Sequence, residues 1–141
     1  MRATQTVSIA AVQAGDELSP TSIPITLVSI PGEDENLIKQ SLIHHDTRVA
    51  QATGAPDAFA NTYFLMGMFE RLMRQWAGPK AHIRKIGPLR MMIFNAVGDT
   101  VQFKGTVESV DKAAGTVSLD MWVQSDRGKT VTAKAVVELP D

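Results

Sequence analysis

Apolar and polar residues along this chain follow two different periods, and the change between them divides it in two. From Phe59 to Trp76 the apolar positions Phe59, Tyr63, Phe64, Leu65, Met66, Met68, Phe69, Leu72, Met73 and Trp76 leave little polar surface through the middle turns. That density predicts a long helix buried on most sides. Asp57 is placed to cap its start, and Gly78-Pro79 stops it, because glycine suits a helix exit and proline cannot continue one.

After Lys80 the period falls to two. Val131, Ala133, Ala135, Val137 and Leu139 alternate with Thr130, Thr132, Lys134 and Glu138, which predicts a strand with one apolar face. Val117, Leu119, Met121 and Val123 repeat the pattern, as do Val101, Phe103 and Val107. Turn residues at Gly98-Asp99, at 111–115 and at 126–129 are spaced for antiparallel hairpins. Before the long helix the signals are shorter. Pro20, Pro24 and Pro31 bracket a β-rich run at 25–30 that reads as a first or edge strand. Residues 33–41 read as a short helix or structured loop. Asp46 can cap a second short helix over 47–53, ended by Gly54. One long buried helix followed by an antiparallel sheet with a single apolar face has a simple joint solution, an α+β domain in which the sheet wraps the helix. The length, 141 residues, suits one domain spanning 1–141.

Composition narrows the function. The formal net charge is −1 and no basic run is present, so no global field draws in nucleic acid or an anionic membrane. Cysteine is absent, which excludes disulfides, thiolate metal sites and a cysteine nucleophile. Residues 1–18 lack the basic start and apolar core of a signal peptide, so a cytoplasmic location is expected. The longest apolar run, 63–69, is far shorter than the roughly 20 residues that span a bilayer.

The candidate chemistry centres on Ile43-His44-His45-Asp46. A histidine in a short loop near the start of a buried helix can take and give a proton near neutrality. Adjacent histidines cannot both face one pocket in ordinary backbone, so one of the pair is a surface or structural residue. Asp46 serves as a helix cap whether or not chemistry occurs there. Glu70, late in the long helix, could be a base, but Arg74 one turn on offers an ordinary i,i+4 surface pairing. Met66, Met68, Met73, Met91 and Met92 could line an adaptable apolar tunnel, with core filling as the plainer role.

A sheet around one central helix is the hotdog fold, and the sequence resembles its MaoC-like hydratase branch, whose signature runs D-x-N-P-I/L-H-x-D with small residues beyond. Ile43, His44, Asp46, Ala50 and Gly54 match that spacing, and Gly98-Asp99-Thr100-Val101 matches the family's G-D-x-V strand entry. The likeness is closer to the small subunit of steroid side-chain enoyl-CoA hydratases, through His44-His45-Asp46, Asn61, Trp76-Ala77-Gly78-Pro79 and the Arg84 to Gly87 stretch; it runs from about Pro24 to the end.

The resemblance implies hydration or dehydration of an α,β-unsaturated acyl-CoA thioester, with His44 as the acid–base residue. Backbone N–H groups at the helix start, near Asn61 and Thr62, would face the thioester oxygen, where unpaired amides and the helix dipole favour negative charge. His82, Arg84, Lys85 and Arg90 could meet the phosphates of coenzyme A, Arg84, Lys85 and Arg90 being the assigned set. Family sites lie between paired hotdogs, so the implied unit is a homodimer or a heteromer with a second MaoC-like subunit. No metal or redox cofactor is implied, coenzyme A entering only as part of the substrate. One departure matters. The family aspartate five residues before the histidine is Lys39 here. Charged lysine cannot accept a proton from water, and near His44 it would depress the imidazole pKa. Three readings stay open: Asp34 or Glu35 reaches the same place through a longer loop, His44 works alone, or the chain is a silent subunit beside a competent one. A thioesterase built on Glu70 is the remaining alternative.

Overall fold

The computed structural model describes residues 5–25, 47–52 and 62–141. Their elements, in order, are a short 3-10 turn at Ile9–Ala11, strand β1 (Glu17–Pro24), helices α1 (Thr47–Ala52) and α2 (Thr62–Ala77), and strands β2 (His82–Met91), β3 (Thr100–Asp111), β4 (Thr116–Ser125) and β5 (Gly128–Glu138). The five strands form one sheet in the order β1-β3-β4-β5-β2, every neighbouring pair antiparallel. The α+β hotdog arrangement expected from the sequence is the one observed.

The period-two pattern accounts for the sheet. In β4 buried and part-exposed positions alternate without a break from Thr116 to Ser125. Val117, Leu119, Met121 and Val123 thereby join Val131, Ala133, Ala135 and Val137 of β5 on the face that meets α2. The helix adds Leu65, Phe69, Leu72, Met73 and Ala77, with Phe69 set edge-on to Phe103 at 5.4 Å between ring centres. Each fully buried side chain of this size contributes about 1.5–3 kcal/mol through the hydrophobic effect.

Four expectations need correction. The first strand lies earlier than residues 25–30, at Glu17–Pro24. Its alternation is masked in the sequence because it is an edge strand, tolerant of Pro20 and Pro24, and because the pairing register shifts between Leu18 and Thr21. Residues 26–30, like the predicted helix or loop at 33–41, lie outside the described residues. In this chain α2 is buried on one side only: Tyr63 is 82% exposed, and Gly67, Glu70 and Arg71 share the open face. The turn at Gly98-Asp99 does not close a hairpin, since β2 crosses to the far edge beside β5 and β3 pairs with β1 and β4. Thr130, read as solvent-facing, is fully buried.

The two ends of the sheet differ. At one end an N-terminal segment clasps the exit of α2: the Val7 amide donates to the Ala77 carbonyl, the Lys80 amide to the Thr6 hydroxyl, and the Ile9 amide to the Pro140 carbonyl. With its exit fixed there and a length of about 24 Å, α2 runs back toward the opposite end, where β1 and β2 finish and β5 begins.

Candidate functional site

The end of the sheet that α2 starts from is organised by Asp99. Its carboxylate accepts from the Ala96 amide at 3.0 Å and pairs with Arg127, whose guanidinium also donates to the Phe94 carbonyl at 2.8 Å. Gly98 adopts φ +98°, a region open to glycine, and its amide donates to the Ile25 carbonyl while Ile25 donates to the Asp99 carbonyl. The Gly-Asp pair of the G-D-x-V motif is thus a structural clamp, tying the end of β1 to the entry of β3. The chain leaves this clamp at Ile25 for the segment that carries His44.

Beside the clamp lies a buried polar pair that sequence reading missed. The Thr130 hydroxyl donates to the Asn95 side-chain carbonyl at 2.6 Å, both residues are fully buried, and the Asn95 side-chain N–H₂ has no partner among the described residues. The only signal was one polar residue inside Ile93-Phe94-Asn95-Ala96-Val97, which reads as a turn until its burial is known.

The predicted site residues fall into three groups. His44 and Asn61, with Asp46 and Lys39, lie outside the described residues. Thr62 is exposed at the first described position of α2, next to Tyr63. Arg84, Lys85 and Arg90 all lie exposed on β2 but do not form one cluster. Arg84 pairs with Glu138 near one end of the strand, Lys85 is in register with Val136, and Arg90 is in register with Thr132 near the other end. Six residues of strand separate Arg84 from Arg90, roughly 20 Å. His82 is exposed at the start of the same strand.

Glu70 is exposed and 3.7 Å from Arg74, which also donates to the Ala81 carbonyl. It makes the ordinary exposed pairing that its i,i+4 spacing suggests. Met73 is core and Met92 is exposed, so the methionines do not form a single lining. Lys134 bridges Asp120 at 2.7 Å and Glu108 at 3.2 Å on the outer sheet face, and the Asp120 hydrogen bond, then that of Glu108, raises its pKa above the ordinary lysine value. Among the described residues no group of three or more His, Asp or Glu side chains could hold a metal ion, and no helix is long and apolar enough to cross a membrane.

No family model matches the chain. It is 34% identical over 99 residues, 70% of this chain and 74% of the relative, to the 3-oxo-4,17-pregnadiene-20-carboxyl-CoA hydratase beta subunit of Mycobacterium tuberculosis. A chain in the crystal structure of the ChsH1-ChsH2 complex from the same organism matches with a TM-score of 0.78 at 29% identity, over 90% of this chain and 98% of that one. The (R)-hydratase from A. caviae involved in PHA biosynthesis matches with a TM-score of 0.76 at 20% identity, over 92% and 98%, a likeness of fold. A five-stranded antiparallel sheet on one helix and these similarities define a hotdog protein of the hydratase type. The chain belongs to the MaoC-like hotdog hydratase family, and its likeness to the beta subunit places it beside the small subunits of steroid-type enoyl-CoA hydratases.

Proposed function

We propose that this chain takes part in hydration or dehydration of an α,β-unsaturated acyl-CoA thioester, a steroid side-chain thioester being the first candidate. The observation that carries the reading is its 34% identity to a hydratase beta subunit, together with the His44-His45-Asp46 run at the family spacing. In this reading His44 activates water or protonates the α-carbon. Backbone N–H groups near Asn61 and Thr62 stabilise the charge that builds on the thioester oxygen. Of the basic residues assigned to the phosphates of coenzyme A, Arg84 is already engaged by Glu138, which leaves Lys85 and Arg90 as the freer cations.

The functional unit pairs this chain with a second MaoC-like subunit. The match to one chain of the ChsH1-ChsH2 complex supports a heteromer over a homodimer, and the open face of α2 offers surface for such a neighbour. Lys39 in place of the family aspartate favours a second reading, in which this chain is the non-catalytic partner that completes the other subunit's substrate tunnel. A thioesterase acting through Glu70 is disfavoured by the exposure and ion pairing of that residue.

The test is hydration of a panel of enoyl-CoA thioesters, short chain through steroid side chain. It compares the chain alone, the chain co-expressed with a second MaoC-like subunit, and His44→Ala in both settings. Loss of turnover in His44→Ala supports catalysis by this chain. Full turnover of a heteromer that carries the variant assigns the chemistry to the partner. Thiol release without hydration would overturn both readings.

A further inference from the structure

The outer face of the sheet, away from α2, carries a groove of about 560 Å³, and Arg90, one of the residues proposed above for the phosphates of coenzyme A, lies in its wall. Trp122, Arg90, Lys129, Thr106 and Thr132 are among the residues that line it. The register explains the grouping: Arg90 of β2 pairs with Thr132 of β5, Thr132 with Trp122 of β4, and Trp122 with Lys104 of β3. Paired positions project to the same side of a sheet, so these four side chains form one row across it. Their neighbours along the strands, Val131, Ala133, Met121 and Val123, are buried on the helix side, so the row faces outward. Lys129, on the first turn of β5, folds over the row with its Nζ 4.4 Å from the centre of the Trp122 ring.

The charges on this face are unevenly compensated. Asp120 and Glu108 are both taken by Lys134. Among the described residues, Arg90, Lys104 and Lys129 make no ion pair. Two cations without an ion pair among the described residues, Arg90 and Lys129, thus line the groove with one indole, and Lys104 lies in register beside it, in a chain whose net charge is −1. A second copy of the same face would be repelled, whereas an anion is complementary. The groove has the volume of a small-molecule site. An aromatic face beside cations and hydroxyls supplies the two things a nucleotide requires, a stacking platform for the base and charge-assisted donors for phosphate.

We propose that this groove binds a phosphorylated nucleoside. Its base stacks on Trp122 in place of the Lys129 ammonium, and its phosphates are held by Arg90 and Lys129, with the Thr132 hydroxyl donating. Coenzyme A and a free nucleotide are two sources of the same group, and binding can be read without any hydratase activity.

Two tryptophans are present, so the full chain carrying Trp76→Phe leaves Trp122 as the fluorescent reporter. It is titrated with ADP, adenosine 3′,5′-bisphosphate, coenzyme A, adenosine and inorganic phosphate. The expected result is a saturable change with ADP that weakens with added salt and falls roughly tenfold or more in Arg90→Ala. Calorimetry on the otherwise native chain should show a loss of similar size in Trp122→Leu. Tighter binding of the bisphosphate and of coenzyme A than of ADP would name coenzyme A as the source; the reverse order would name a free nucleotide. Phosphate binding as tightly as ADP would overturn the stacking role and with it the nucleotide site, and so would the absence of saturable binding by any nucleotide. Hydration is assayed separately with the His44 variant, so failure here removes Arg90 from the proposed phosphate contacts and leaves the acid–base reading of His44 standing.

Discussion

Gly78 lies directly against the backbone of Gln5: a methyl group on residue 78 would run into the Gln5 carbonyl oxygen. The contact joins the exit of α2 to the N-terminal segment, and Gly78 has φ +92°, which side-chain-bearing residues rarely adopt. Strained backbone and a backbone collision act together in Gly78→Ala. We expect it to lower the unfolding free energy by about 2–4 kcal/mol, as measured by urea denaturation of the isolated chain. A change under about 1 kcal/mol would show that the N-terminal segment yields without cost and does not clasp the helix.

Gly67 makes the opposite case. It sits in the middle of α2 on the open face, and among the described residues an added methyl would meet no atom within 4 Å beyond its own stretch of helix. Glycine in a helix interior costs roughly 0.5–1 kcal/mol relative to alanine, chiefly through the entropy of the unfolded chain. Gly67→Ala should therefore raise the stability of the isolated chain by about that amount, seen as a higher thermal midpoint. If the mutation destabilises the isolated chain, the face it occupies is not open.

These two glycines also show what the sequence made legible. Gly78 could be read as a helix stop because the apolar period ends there, and the strands beyond it could be read because their inward residues alternate strictly. The open face of α2 could not be read, because Tyr63, Gly67 and Met66 count as apolar or neutral whether they meet the core or a neighbouring subunit. Strand β1 was missed for a related reason: an edge strand with two prolines and a register shift carries no clean period. The row Arg90, Thr132, Trp122, Lys104 is invisible in the sequence because register alone brings four strands together there. Of the candidate site, Thr62 was correctly placed within the long helix, while the spread of Arg84, Lys85 and Arg90 along β2 needed the sheet geometry.

The core is anchored by Phe103, which meets Phe69 edge-on from the first part of β3. Both side chains are fully buried. Phe103→Ala removes the aromatic contact and leaves a cavity between sheet and helix, so a loss of about 3–5 kcal/mol is expected. Phe103→Leu retains most of the volume and should cost less than half as much. The comparison is made from denaturation midpoints at constant slope. Equal losses in the two variants would mean that the site relaxes around either residue and that packing there is loose.

Lys134 gives the sheet a pH dependence with a definite sign. Its pKa is raised above the ordinary 10.5 by hydrogen bonds to Asp120 and then Glu108, so the folded state holds this proton more tightly than the unfolded state. The resulting stabilisation is fully present below about pH 10.5 and is lost as the pH rises through the raised folded value. The bridge is exposed, so the effect is small and screened by salt. Stability of the wild type relative to Lys134→Met, followed from pH 8 upward, should show an advantage at pH 8–9 that shrinks above the ordinary lysine value. An advantage that grows with pH would contradict the assigned bridge.

Thr130 and Asn95 are coupled in a way that two single substitutions would conceal. Their 2.6 Å hydrogen bond satisfies the Asn95 carbonyl, while the Asn95 N–H₂, in a fully buried site, has no partner among the described residues. Thr130→Val removes the donor and leaves the whole side-chain amide of Asn95 unsatisfied, which should cost about 1–3 kcal/mol. Replacing both residues with apolar ones, Thr130→Val with Asn95→Leu, removes the stranded amide together with its lost partner. The double variant should be more stable than Thr130→Val alone, because the penalty for burying an unmet polar group disappears with the group. A double-mutant cycle by urea denaturation measures this. Simple additivity of the two losses would mean that the amide is already satisfied by ordered water, and that the pair is held by solvent as much as by the protein.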